Sequence, residues 1–258
     1  MGFFDEEPLA GGLEAARVFR VGATVRRPAG PWTATIHALL KHLEDKGFPA
    51  PRAHGFDDEG REVLDYLDGE AGNWPWPTAL LNTDGARRIG ELLARYHRDV
   101  ADFVPPAPAI WRHGVEEPSP GEIVLHGDFA PYNLIWRGEA LAGVIDWDLA
   151  RPGRAIHDAA FAALKCAPLL VDVAPLGFPA PPDRRARLEA FAEGYAGPSP
   201  TELVEAIFEV CAADIGRMER LGGQGIEPWS SWIQRGLLTR TREEMVWLRD
   251  WAEAEGLS

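Results

Sequence analysis

Between Thr33 and Asp45 the apolar positions Ile36, Leu39, Leu40 and Leu43 recur at helical spacing, and Gly47 and Pro49 stop the run. The pattern predicts an amphipathic helix there. Before it, Val18 to Val25 reads as extended chain folded about Gly22, following the Gly11-Gly12 pair. After it come two short extended pieces, Pro51–Phe56 and Arg61–Leu67, split by the turn residues Asp57-Asp58-Glu59-Gly60. Together these make a small sheet with one helix. The next segment, Asp68-Gly69-Glu70-Ala71-Gly72, has the composition of a linker. Downstream, Ile89, Leu92, Leu93, Tyr96, Val100 and Phe103 mark a second amphipathic helix. Ser199-Pro200-Thr201-Glu202 is a capping box with proline at the first helical position, opening a helix to about Leu221. A last helical region runs from about Ser230 to Trp251, and three short strands, Ile123–Leu125, Leu134–Trp136 and Leu141–Ile145, lie between. The fold class is therefore α+β: a small β-rich N-lobe (1–67), a linker (68–72) and a larger, mainly helical C-lobe (73–258).

Composition narrows the function classes. The chain has 258 residues, with 26 Lys plus Arg against 40 Asp plus Glu and a formal charge of −14. That balance argues against a nucleic-acid partner, because phosphate contacts need a basic surplus. Two cysteines, Cys166 and Cys211, cannot build a disulfide framework or a four-cysteine zinc site. A reduced, cytoplasmic setting is expected. The first residues lack the basic and apolar regions of a signal peptide, and Glu6 fails the Ser/Thr requirement for myristoylation. No run approaches the ~18 apolar residues of a membrane span. Neither a membrane nor an obligate protein partner is indicated.

The chemistry is concentrated between Ile123 and Asp158. His126-Gly127-Asp128 follows a strand, Asn133 comes five residues after Asp128, a second strand starts at once, and Asp146 ends a third in Val144-Ile145-Asp146-Trp147-Asp148. Polar residues at the ends of short apolar strands stand on a rigid base, where chemistry is usually placed. H-x-D-x-x-x-x-N alone would match by chance in about one sequence of this length in a hundred, and the trailing I-D-W-D lowers that further. The arrangement suits phosphoryl transfer, which needs a carboxylate near the attacking hydroxyl plus an Asn and an Asp that hold Mg²⁺ against nucleotide phosphates. Other chemistries fare worse: there is no H-E-x-x-H, no G-x-S-x-G and no motif around either cysteine.

HGDFAPYN followed by IDWD resembles the catalytic block of the aminoglycoside phosphotransferase and choline kinase family, which shares its two-lobe fold with protein kinases. The resemblance implies that Asp128 is the catalytic base or hydroxyl-orienting carboxylate and that Asn133 and Asp146 bind Mg²⁺. His126 would hold the catalytic loop together. Asp158 would tie that loop from the start of a helix, although a helix N-terminal carboxylate stabilised by the dipole describes it as well. Asp148 is either a neighbour of the metal or a turn former, with the turn favoured.

Toward the N-terminus the likeness thins. Ala23-Thr24-Val25-Arg26 lies where the family has a strand ending in a phosphate-binding basic residue, which makes Arg26 the candidate. Arg27 is then assigned to the opposite sheet face, since strand side chains alternate. Gly12, in the Gly11-Gly12 pair, would form the glycine turn over the phosphates. The resemblance puts His37 where the family has a helix Glu, with Glu44 seven residues on as a substitute. An imidazole cannot anchor a guanidinium as a carboxylate does. Tyr66 and Leu67 are placed against adenine.

Two readings follow. The first is a Mg²⁺- and ATP-dependent kinase acting on a small hydroxyl-bearing substrate, an amine or amino sugar among the options, with GTP also open. The alternative is a catalytically impaired nucleotide-binding pseudokinase, motivated by His37.

Overall fold

The computed structural model describes residues 6–9, 17–112, 114–227 and 229–257. The chain divides into two compact units, Met1–Gly72 with Arg95–Arg154, and Asn73–Ala94 with Ala155–Ser258. The first unit opens with β1 (Glu7–Pro8), β2 (Phe19–Val21), β3 (Thr24–Arg27), α1 (Thr33–Asp45), β4 (Ala53–Phe56), β5 (Glu62–Asp65) and β6 (Glu70–Ala71). Helix α2 (Thr83–Val100) starts in the second unit and ends in the first, which continues with β7 (Ile110–Trp111), β8 (Gly114–Val115), β9 (Ile123–Leu125), β10 (Leu134–Arg137), β11 (Ala140–Val144) and β12 (Arg151–Gly153). The second unit holds α3 (Ala155–Cys166), α4 (Arg184–Tyr195), α5 (Pro200–Gly223), α6 (Trp229–Gln234) and α7 (Leu237–Ala254). Among the described residues no helix is long and apolar enough to cross a membrane.

In the first unit β1 to β5 form one antiparallel sheet in the order β1-β2-β3-β5-β4. The turn at Gly22 has φ 63°, a conformation that favours glycine, so the extended run expected from Val18 to Val25 is two strands. Helix α1 spans the residues its periodicity predicts and buries Ile36, Leu39, Leu40 and Leu43. Its C-terminal end is fastened to the end of α2 by His42 Nε2 on the Asp99 carbonyl at 2.8 Å.

A second, three-stranded sheet has the order β11-β10-β6. Its edge strand β6 comes from the segment whose composition reads as a linker. Gly69 there has φ 142°, and a Cβ on it would meet the Trp136 carbonyl oxygen at 2.5 Å. The glycine that looks like a flexible joint in the sequence thus allows a close backbone approach to β10.

The first unit also contains an aromatic cluster. Trp147, the Trp of I-D-W-D, packs 5.1 Å from Tyr96 and 4.6 Å from His126 between ring centroids, and Phe48 joins Tyr96 at 5.6 Å. Its indole N–H donates to the Val144 carbonyl at 3.0 Å. Burying this large ring fixes the two aspartates on either side of it.

The second unit is helical. The Ser199 capping box forms as the sequence predicts, and α5 runs to Gly223. The single C-terminal helical region expected from Ser230 to Trp251 is two helices, broken at Gly236, whose φ is 77°. Helix α4 has little amphipathic pattern because Arg187, in its first turn, is among its buried residues. The Arg187 guanidinium, 2% exposed, donates to the carbonyls of Cys166, Asn82 and Leu80 at 2.7–3.2 Å and lies 5.2 Å from the Phe178 ring centroid. Burial lowers its pKa to about 10, which leaves it charged at neutral pH. Arg187→Lys keeps a cation but loses the fork that reaches three carbonyls. It is expected to cost about 1–3 kcal/mol, the penalty for buried acceptors left unmet, read as a lower urea midpoint at unchanged slope. A midpoint equal to wild type would show that the carbonyls do not depend on this residue.

Candidate active site

The block 123–153 is folded by two hairpin-like pairings. Strand β9 pairs antiparallel with β12, and β10 pairs antiparallel with β11, with Leu134 opposite Val144. One step beyond that pair, the Ile145 N–H donates to the Asn133 carbonyl at 2.9 Å. This register brings Asn133 and Asp146, thirteen residues apart in sequence, to the same end of the hairpin.

The loop after β9 is held from inside. Gly127 has φ 80°, and a Cβ there would meet the Leu149 carbonyl oxygen at 2.2 Å, so no other residue fits without moving backbone. His126 is fully buried: its Nδ1 accepts the Asp128 backbone N–H at 3.2 Å and its Nε2 donates to the Ile145 carbonyl at 3.1 Å. That pattern fixes the tautomer with the proton on Nε2. Asn133, also buried, donates through Nδ2 to the Asp128 carbonyl at 2.9 Å and to Asp128 Oδ2 at 3.0 Å. The other oxygen of Asp128, Oδ1, accepts the Tyr132 hydroxyl at 2.6 Å.

Asp146 has left-handed backbone, φ 63° and ψ 67°, and its side chain is 52% exposed. Asn133 spends its amide nitrogen on Asp128, which turns its amide oxygen away from that residue. The pair Asn133 and Asp146 therefore offers oxygen donors only, the donor set of a hard cation such as Mg²⁺.

The basic residue beside this pair is not Arg26. Alternation along β3 separates the two arginines as expected, but the faces are reversed. Arg26 turns to Thr24 Oγ1 at 2.6 Å and to Asp57 at 3.6 Å. Arg27 donates from Nε to Glu62 Oε1 at 2.5 Å, from Nη2 to Asp148 Oδ1 at 2.6 Å and from Nη1 to Asp146 Oδ1 at 3.3 Å. Burial alone would lower its pKa; the carboxylates of Asp148, Glu62 and Asp146 outweigh that and raise it above the ordinary arginine value.

Glu62 supplies the carboxylate that helix α1 lacks. It comes from β5, directly opposite Arg27 in the sheet register, and its side chain is 1% exposed. His37 meets Glu62 from the helix side, Nε2 to Oε2 at 3.1 Å. The helix position thus backs the carboxylate rather than replacing it. Glu44, the substitute considered from sequence, is engaged with Arg52 at 3.2 Å and Lys41 at 3.4 Å instead. Asp148 is a partner of arginines: besides Arg27 it accepts from Arg112 Nη1 at 3.0 Å, and Arg112 stacks on Trp32 at 4.7 Å. Burial pushes the Asp148 carboxyl up against the pull of Arg27.

The remaining expected residues fall elsewhere. Gly12 lies outside the described residues. The Tyr66 ring is covered by the Arg20 guanidinium at 4.0 Å, and a Cβ on Gly143 would meet Leu67 Cδ1 at 2.5 Å, so Leu67 packs against β11. Asp158 is in the second unit, buried in the first turn of α3. Burial together with this carboxylate pushes the Tyr195 phenol up to about 12. Sequence reasoning missed Arg27, Glu62, Arg112 and Tyr132 as members of the cluster. Only Tyr132, inside the motif, carried a local sign.

The block matches a known family. Residues 99–203 match the model of the phosphotransferase enzyme family, APH. The likeness to aminoglycoside phosphotransferases and choline kinases read from the sequence holds, and with it the protein-kinase-like fold. A trifolitoxin immunity protein of Rhizobium leguminosarum bv. trifolii is 36% identical over 157 residues, 58% of this chain. The matched stretch is likewise 58% of that relative, so under two thirds of its length is covered. Among solved structures, amicoumacin kinase in complex with AMP-PNP, Ca²⁺ and Ami superposes with a TM-score of 0.61 at 11% identity, covering 93% of this chain and 87% of that one. The GDP complex of aminoglycoside 2'-phosphotransferase-IIIa gives 0.60 at 12% identity, covering 94% and 92%. A choline/ethanolamine kinase family protein from Mesorhizobium loti gives 0.57 at 15%, covering 95% and 88%. At these identities the superpositions establish the fold.

Proposed function

We propose that this protein transfers the γ-phosphate of Mg²⁺-ATP to a hydroxyl of a small molecule. The observation that carries the reading is the Asp128 carboxylate, oriented by buried Asn133 on one oxygen and presented to a hydroxyl on the other. In this reading residues 1–67 form the nucleotide-phosphate lobe, 68–72 the connection and 73–258 the catalytic lobe. Asp128 orients the acceptor hydroxyl and receives its proton at Oδ1 as the oxygen bonds to the γ-phosphorus and the bond to the β–γ bridging oxygen breaks. Asn133 and Asp146 would hold Mg²⁺, which when bound neutralises charge on the phosphates. Arg27, aimed by Glu62 and by His37 behind it, would meet the same phosphates, while His126 supports the loop. This arrangement favours an active kinase over the impaired module, because the basic residue has its carboxylate. ATP is the donor proposed, with GTP open.

The acceptor proposed is an amine or amino sugar, because the chain carries 40 Asp plus Glu against 26 Lys plus Arg and its net negative charge favours a cationic partner. Kinship with an immunity protein supports a toxic compound as that acceptor.

Thermal unfolding tests the reading. At 100 times its dissociation constant Mg²⁺-ATP adds about 2.7 kcal/mol to the folded state, worth roughly 5–10 °C for a chain of this size. Wild type is expected to show that shift with Mg²⁺, and Asp146→Asn to lose the metal dependence. No shift with any nucleoside triphosphate would sink the proposal.

A further inference from the structure

Asp128 is held by His126, Asn133 and Tyr132, and of these Tyr132 reaches the surface. His126 bonds its backbone N–H, and Asn133 bonds its carbonyl and Oδ2; both are buried. The third, Tyr132, is 39% exposed and donates to Oδ1 at 2.6 Å. That length is typical of an O–H···O⁻ bond strengthened by the charge. It is also the contact an acceptor hydroxyl has to make in the reaction proposed above. Pro131-Tyr132-Asn133 is a single 3₁₀ turn, closed by the Asn133 N–H on the Ala130 carbonyl at 2.9 Å, and it returns both side chains to the carboxylate. The phenol therefore stands in for the acceptor on the oxygen that reacts.

We propose that Tyr132 is the residue that discriminates an acceptor hydroxyl from water. The inference rests on the kinase reading of Asp128. With no acceptor bound, the Tyr132 hydroxyl occupies Oδ1 and keeps the carboxylate from orienting a water against the γ-phosphate. Water brings one small contact and nothing with which to offset the loss of a charge-assisted hydrogen bond. A substrate brings binding energy from the rest of its surface and spends part of it on displacing the phenol. The reaction held back is hydrolysis: a water oxygen bonds to the γ-phosphorus, the bond to the β–γ bridging oxygen breaks, and the proton passes to Asp128 and then to solvent. Its products are ADP and inorganic phosphate.

The test is phosphate release from Mg²⁺-ATP by the full chain with no acceptor present, in wild type, Tyr132→Phe and the double variant Asp128→Asn/Tyr132→Phe. Tyr132→Phe keeps the ring and removes only the hydroxyl. It is expected to release phosphate about ten- to a hundredfold faster than wild type, the worth of a hydrogen bond to a charged group. Thermal stabilisation by Mg²⁺-ATP stays as in wild type, and the gain disappears in the double variant. A purely structural tyrosine would give no gain. Equal or slower release with stabilisation intact overturns the role of Tyr132 and leaves the kinase reading standing. A gain that survives in the double variant also overturns it, because the water is then not oriented by Asp128. Loss of Mg²⁺-ATP stabilisation in wild type and variant alike removes the kinase reading and this inference with it.

Discussion

Asp128→Asn is expected to lower phosphoryl transfer about 10²–10⁴-fold, the usual worth of a positioned general base, while nucleotide binding survives. The substitution preserves shape but exchanges an acceptor-only carboxylate for an amide with two donors. Around it stand the Asn133 amide and the Tyr132 hydroxyl, both donating to the carboxylate. One amide oxygen cannot serve both donors as two carboxylate oxygens do, so the side chain also loses its orientation. Tyr132 can turn and accept, which limits the effect on stability. The measurement is ATP consumption across hydroxyl-bearing amines and sugars, with Mg²⁺-ATP thermal stabilisation as the binding control. Turnover equal to wild type with binding intact would remove Asp128 from the chemistry.

The second large effect is on folding. Arg27→Met is expected to destabilise the protein by about 3–5 kcal/mol, because it takes the arginine from buried Glu62, leaving it His37, and one of two arginines from Asp148. Methionine fills much of the volume, so the loss is electrostatic rather than a cavity. Asp148 retains Arg112, which confines most of the cost to Glu62. The double variant Arg27→Met/Glu62→Gln should therefore recover a substantial part of the loss, since replacing both members of a buried pair is far cheaper than orphaning one. Urea unfolding of the two single variants and the double measures the coupling directly. Additive losses would mean that the Arg27–Glu62 contact is not an energetic unit.

How much of this was readable in the sequence depended on the distance over which each residue is fixed. Asp128, Asn133 and Asp146 lie within nineteen consecutive positions of one strand–loop–hairpin, so their spacing and the family resemblance it carries mark them as candidates. The choice between Arg26 and Arg27 was different. Alternation separates the two correctly, yet which one faces Asp146 is set by the register of β3 against β5, and that register pairs residues thirty-five apart. Glu62 was hidden for the same reason. A search along the helix for the missing carboxylate finds His37, whereas the acid stands on a strand across the sheet. The 68–72 segment misled through composition: glycine marks flexibility or close approach equally well, and here it permits β6 to pair with β10. Helix α4 escaped because periodicity assumes that a buried position is apolar, and Arg187 is buried by carbonyls instead.

The division of the chain into two interleaved units bears on its synthesis. The backbone passes from one unit to the other after residues 72, 94 and 154. A ribosome delivers these segments in order, so the N-terminal sheet emerges well before β9 to β12 exist to complete its unit. Residues 73–94 then wait longer still for the helices that follow residue 154. Neither unit is a contiguous stretch that can close behind the exit tunnel while the other is being made. A nascent chain halted before β10 leaves β6 without its partner strand and the apolar faces half-formed, the kind of species that chaperones bind and that aggregates at high concentration. For the same reason no simple truncation yields either unit alone, and dissection of this protein requires circular permutation or splicing of the 73–94 segment rather than a cut.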